Sequence, residues 1–149
     1  MNNVVWHSIF ALVMLGLVLL AGFIARANAQ DNGVAPAANN AQHEITRCAA
    51  YFSVAHKCGE VSNAPKVVET YKKASDTMFV YMETLRKPAG MTTDAMLSRF
   101  QLELGRMWDL LQNSCTNISS AMVRHAKRCK YVAENPDKVL QSYLANGGR

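Results

Sequence analysis

"RCAAYFSVAHKC", residues 47–58, carries two cysteines ten residues apart and a histidine two before the second. Ile45, Cys48, Phe52 and Ala55 recur at helical spacing, and Tyr51, Val54 and Cys58 widen the same apolar face. The stretch reads as the body of a helix over 43–58, with Gly59 as its stop. On that helix Cys48 and Cys58 stand about 15 Å apart. A disulfide needs Cα atoms about 4.4–6.8 Å apart, so the two cannot bond to each other. Each needs a partner elsewhere in the chain, or a metal.

The partners on offer are Cys115 and Cys129. Cys115 ends a third predicted helix, and Cys129 lies about three turns, or about 16 Å, into a fourth. Helices placed up, down, up, down bring Cys58 level with Cys115 and Cys48 level with Cys129. The pairing that fits is therefore Cys58–Cys115 and Cys48–Cys129. A metal is the rival reading, because "HKC" at 56–58 and "HAKRC" at 125–129 put imidazole beside thiol. No C-x-x-C occurs, so the common zinc-knuckle and thioredoxin-type spacings are missing, as is the C-x-x-C-H haem motif. An even cysteine count in an exported chain reads as two disulfides, and no metal or other cofactor is expected.

Export is read from the other end of the chain. Residues 9–25, "IFALVMLGLVLLAGFIA", are uncharged, and Ala27-Asn28-Ala29 follows as a small-x-small cleavage site. This predicts a signal peptide over 1–29. The segment before the apolar run has no Lys or Arg, and counted from Val4 the run is about 20 residues long, near the length that spans a bilayer. A retained membrane anchor over 4–25 is the alternative. Residues 30–42, "QDNGVAPAANNAQ", are small, polar and aperiodic and read as a flexible leader. The helical domain then occupies 43–149.

A second helix starts near "SNAPKVVE", with Ser62 or Asn63 as cap and Pro65 in the first turn. Val67, Tyr71, Ala74, Met78, Tyr81 and Leu85 form its heptad-like stripe, which suits a core or a seam between copies. "RKPAG" at 86–90 ends it. A third helix opens at Thr92 or Thr93 and carries Leu97, Phe100, Leu104, Met107, Leu111 and Cys115 on one face. Gly105 in its middle suggests a close helix–helix approach. The fourth helix runs over 118–134. A short fifth begins at Asn135-Pro136, and "NGGR" reads as a frayed end. "NIS" at 117–119 matches the N-glycosylation sequon and also suits helix capping. The expected fold is all-α: an antiparallel bundle of four main helices and a short C-terminal one, stapled by two disulfides.

Composition and charge narrow the function. Without residues 1–29, which hold Arg26 and no acid, 15 basic residues face 11 acidic ones, a net charge of +4. That mild excess, in an exported chain, argues against nucleic acid. Ser-centred nucleophile motifs, Gly-rich phosphate loops and H-E-x-x-H are all absent, and the acids from Glu60 to Asp109 scatter at spacings that suit helix surfaces. Catalysis is therefore not expected. The strongest local asymmetry is Arg124, Lys127, Arg128 and Lys130, in a stretch from 110 to 133 that contains no acid. This face predicts docking to an acidic protein partner or, failing that, to anionic lipid. His125 lies on the opposite, core-facing stripe with Met122 and Cys129. Met78, Met82, Met91, Met96, Met107 and Met122 raise an alternative, a groove that carries an apolar ligand, just as the His–Cys pairs raise a metal carrier. The leading expectation is a periplasmic or secreted helical protein that works by binding a protein partner.

Overall fold

Helix α1, over 33–61, is apolar on nearly every side. Ile45, Cys48, Ala49, Ala50, Tyr51, Phe52, Val54, Ala55 and Cys58 are all buried. A helix buried on that many faces has to be surrounded, and the rest of the chain surrounds it. The structure, a computed structural model, describes residues 33–149. The predicted signal peptide and the alternative anchor lie outside the described residues. After α1 come α2 (Pro65–Arg86), α3 (Thr93–Leu110), a short 3-10 turn (Cys115–Asn117), α4 (Ile118–Glu134) and α5 (Pro136–Ala145). Among the described residues there is no strand, and no helix is long and apolar enough to cross a membrane. The fold is all-α, as expected.

Both disulfides form with the predicted connectivity. Cys48 pairs with Cys129 at a Cα separation of 5.1 Å, and Cys58 with Cys115 at 5.2 Å. Later positions on α1 pair with earlier positions on 115–129, so α4 runs opposite to α1. Ser53 meets Ser75 at 2.9 Å and the His56 Nδ1 donates to the Val68 carbonyl at 3.1 Å, so α2 also runs opposite to α1. Arg99 donates to the Asn39 side chain at 3.0 Å and His43 lies 3.3 Å from Glu103, so α3 runs with α1.

Four boundary readings are corrected. The leader expected to be flexible is helical from 33 onward, and Ala37, Ala38, Ala41 and Gln42 are buried. Alanine is the best helix former, and its small side chain lets neighbouring helices approach closely. At the other end α1 passes Gly59. It stops where Asn63 takes φ 51°, with the Ala64 N–H on the Gly59 carbonyl and the Asn63 N–H on Glu60. That is a Schellman ending, and it uses Asn63 rather than a glycine as the left-handed residue. Neither Ser62 nor Asn63 caps α2, which begins after Ala64 with Pro65 in its first turn. The terminal "NGGR" is docked, not frayed: Gly148 is buried and its carbonyl accepts from Asn40 at 2.7 Å.

Two stripes are rotated from their predicted positions. In α2 the buried residues are Ser75, Met78, Met82 and Leu85, while Val67 is exposed. In α3 they are Met96, Phe100, Glu103 and Met107, while Leu97 is exposed. The α3 shift brings a carboxylate inward, where His43 and Arg47 of α1 receive it. Thr92 caps α3 as expected, accepting from the Ala95 N–H. The amide of Asn117 donates to the Leu111 carbonyl at 2.9 Å, so the sequon asparagine caps the end of α3 rather than the start of α4.

Gly105 makes no close approach, since a Cβ there would meet nothing within 4 Å. The close approach is at Gly59, where a Cβ would lie 3.2 Å from side-chain carbons of both Val67 and Val68. The two glycines should therefore answer oppositely to alanine. Gly105→Ala should stabilise the fold by about 0.5–1 kcal/mol. Gly59→Ala should destabilise it by about 1 kcal/mol, because two neighbours must shift at once. Denaturant midpoints of the two variants at constant m-value check both signs.

Candidate functional site

The structure offers two surfaces and one buried polar cluster. The first surface is a groove at the Cys58–Cys115 end. The Schellman turn after α1 and the proline start of α2 bring Val61 and Val67 to one side of it. The disulfide brings the 3-10 turn to the other, and α4 adds Ile118 and Met122. The cavity has a volume of about 390 Å³, and no charged side chain lines it. A space of this size with apolar walls suits a small apolar ligand or side chains of a partner. It is not the methionine-lined groove expected from the sequence. Met78, Met82, Met96 and Met107 are buried in the core, and of the six only Met122 reaches the cavity.

The second surface is the outer face of α4. Ser120, Val123, Arg124 and Lys127 share it by helical spacing, and Val123 is 87% exposed. The four cations predicted as one face have separate fates. Arg128 is hydrogen-bonded to Glu44 of α1 and lies 5.2 Å over the Tyr131 ring. The Glu44 carboxylate also accepts from the Tyr143 hydroxyl at 3.1 Å, which ties α5 to the same point. This contact raises Arg128 further above its ordinary range, with the Glu44 hydrogen bond as the main cause. Lys130 stands 3.9 Å from Glu134 one turn on. Arg124 and Lys127 are exposed and have no acidic partner among the described residues.

The buried cluster centres on Glu103, one of the acids whose spacing suits a helix surface. Its side chain is 3% exposed. Arg106 reaches it at 2.5 Å, His43 at 3.3 Å and Arg47 at 3.8 Å. A buried carboxylate is tolerable only with such partners. Its spacing from Phe100 and Met107 was the sequence signal that places it on the core stripe. His125, read as a core-margin histidine, is half-buried with its ring 6.1 Å from Tyr51. Its pKa is lowered, first by burial, then by the charges of Arg47 and Arg124, with Glu103 opposing.

The metal alternative loses its donors. All four cysteines are in disulfides, and His56 is engaged by the Val68 carbonyl. Among the described residues no group of three or more His, Cys, Asp and Glu side chains converges at metal-binding distance. No protein-family model, curated protein or solved structure matches the chain.

The lowered pKa of His125 fixes a direction for pH. Its folded value lies below its ordinary 6.5, so the unfolded chain binds the proton more readily. The stability it contributes is complete above pH 6.5 and falls as the pH drops through and below that value. His125→Gln should flatten this part of the profile. Denaturant midpoints of both proteins at pH values on either side of 6.5 check it.

Proposed function

We propose that the chain is an exported, non-catalytic binding protein whose outer α4 face docks an acidic protein partner. One observation carries this reading: Arg124 and Lys127, without an acidic partner among the described residues, stand beside the 87% exposed Val123 on one face of α4. Cations without internal partners keep their charge for another molecule, and an exposed aliphatic side chain beside them adds apolar contact. Export is supported by the predicted signal sequence and by two disulfides, which fit an oxidising environment outside the cytoplasm.

A photo-crosslinking residue at Val123 tests the docking face in the native host. The expected result is one dominant crosslinked protein with an acidic surface. Arg124→Glu with Lys127→Glu should remove the crosslink, and the complex should weaken steeply between about 0.1 and 0.5 M salt. Crosslinking that survives both charge reversal and salt overturns the reading.

A second reading rests on the charge-free cavity near the Cys58–Cys115 bond, which suits an apolar ligand. It predicts that the protein purified from its host carries a small apolar molecule. Native mass spectrometry checks this, with Met122→Trp, which narrows the cavity, expected to reduce the added mass.

A further inference from the structure

The two disulfides have unlike surroundings. Cys48 and Cys129 are each 1% exposed and belong to the packed core. Cys58 is 5% exposed, Cys115 is only half-buried, and both line the cavity. One bond is sealed among helices, and the other faces a space large enough for a small molecule.

We propose that the Cys58–Cys115 bond is a thiol-exchange site, reached through the groove by a small neutral thiol. Cys115 is the more exposed residue of the two and sits in the short 3-10 turn at the groove wall, whereas Cys58 is held within α1. The incoming thiolate attacks the Cys115 Sγ and forms a mixed disulfide there. The Cys58–Cys115 bond breaks, and Cys58 leaves with its electron pair as a thiolate that takes a proton from water. A second equivalent of thiol attacks the outer sulfur of the mixed disulfide. It forms the external disulfide and releases Cys115. The bond is reduced to two thiols, and two molecules of the small thiol are oxidised to one disulfide.

The lining explains which thiol is accepted. The attacking species already carries one negative charge, and the groove offers no cation to receive it. A second charge on the same molecule would have to leave water without compensation. A neutral thiol therefore enters more readily than an anionic one. The consequence for the fold is local. Cys48–Cys129 continues to tie α1 to α4 while the groove wall at 115–118 loses its covalent tie to α1, so exchange loosens the groove without releasing the bundle. This inference stands apart from the α4 docking face.

The purified oxidised protein tests it. It is exposed under native conditions to 2-mercaptoethanol or to the anionic 2-mercaptoethanesulfonate, quenched with acid, and then alkylated and mapped by peptide mass. Rates are referred to thiolate concentration. Cys58 and Cys115 should react at least about tenfold faster than Cys48 and Cys129, the first adduct should be on Cys115, and the neutral thiol should be the faster. Met122→Trp should slow reaction at this bond several-fold and leave Cys48–Cys129 unchanged. Simultaneous opening of both bonds at a rate independent of thiol concentration overturns the proposal, because reduction then waits on global unfolding. Earlier opening of Cys48–Cys129 also overturns it, and equal rates for the two thiols overturn its selectivity.

Discussion

Across the described residues, the packing is arranged around the burial of α1. A helix that hides nearly all its circumference cannot be covered by one neighbour, so contacts to it come from α2, α3, α4 and α5. Its small residues permit this. Ala37, Ala38, Ala41, Ala49, Ala50, Ala55 and Gly59 let other helices approach closely. Two cysteines on the same helix then fix the arrangement covalently. The loops closed span 81 and 57 residues, and on the chain-entropy model each closure contributes about 4 kcal/mol. For a domain of this size that is comparable with the whole net stability of an ordinary fold.

The two ends of α1 are chemically different. Around 39–47 it faces charge: Arg99 bonds to Asn39 and Gln42, and Glu103 is held by His43, Arg47 and Arg106. Around 55–61 its groove side meets only uncharged side chains, a disulfide and open space. Buried ionic contacts are directional and fix the register of α1 against α3. Apolar walls impose no such geometry and leave room for a second molecule. The division places specificity of folding at one end and capacity for binding at the other.

Much of this was legible in the residues. Cysteine spacing along helices was enough to derive both disulfide partners, because 15 Å of helix excludes the nearest pairing and leaves few others. Pro65, Thr92 and Pro136 marked their helix starts correctly. The leader was misread because "APAANNAQ" has no hydrophobic contrast, and burial there works through small size rather than strong apolarity. The α3 stripe was displaced because Leu97 points the pattern outward, while Glu103 suits a surface until Arg47, Arg106 and His43 are in place around it. The groove was invisible for a different reason. It is assembled from the end of α1, the start of α2, a 3-10 turn and the first turns of α4, and no single segment encodes it.

The disulfides are nested: Cys58–Cys115 lies inside Cys48–Cys129 in chain order. A chain made from its N-terminus presents Cys48 and Cys58 together, long before either partner exists. The earliest bond available to an oxidant is thus a wrong one. Helix α1 blocks it by geometry, keeping the two thiols about 15 Å apart once it forms. The same helix that organises the finished core is therefore incompatible with the wrong bond: wherever α1 is formed, each of its two thiols can be satisfied only by a cysteine much further along the chain.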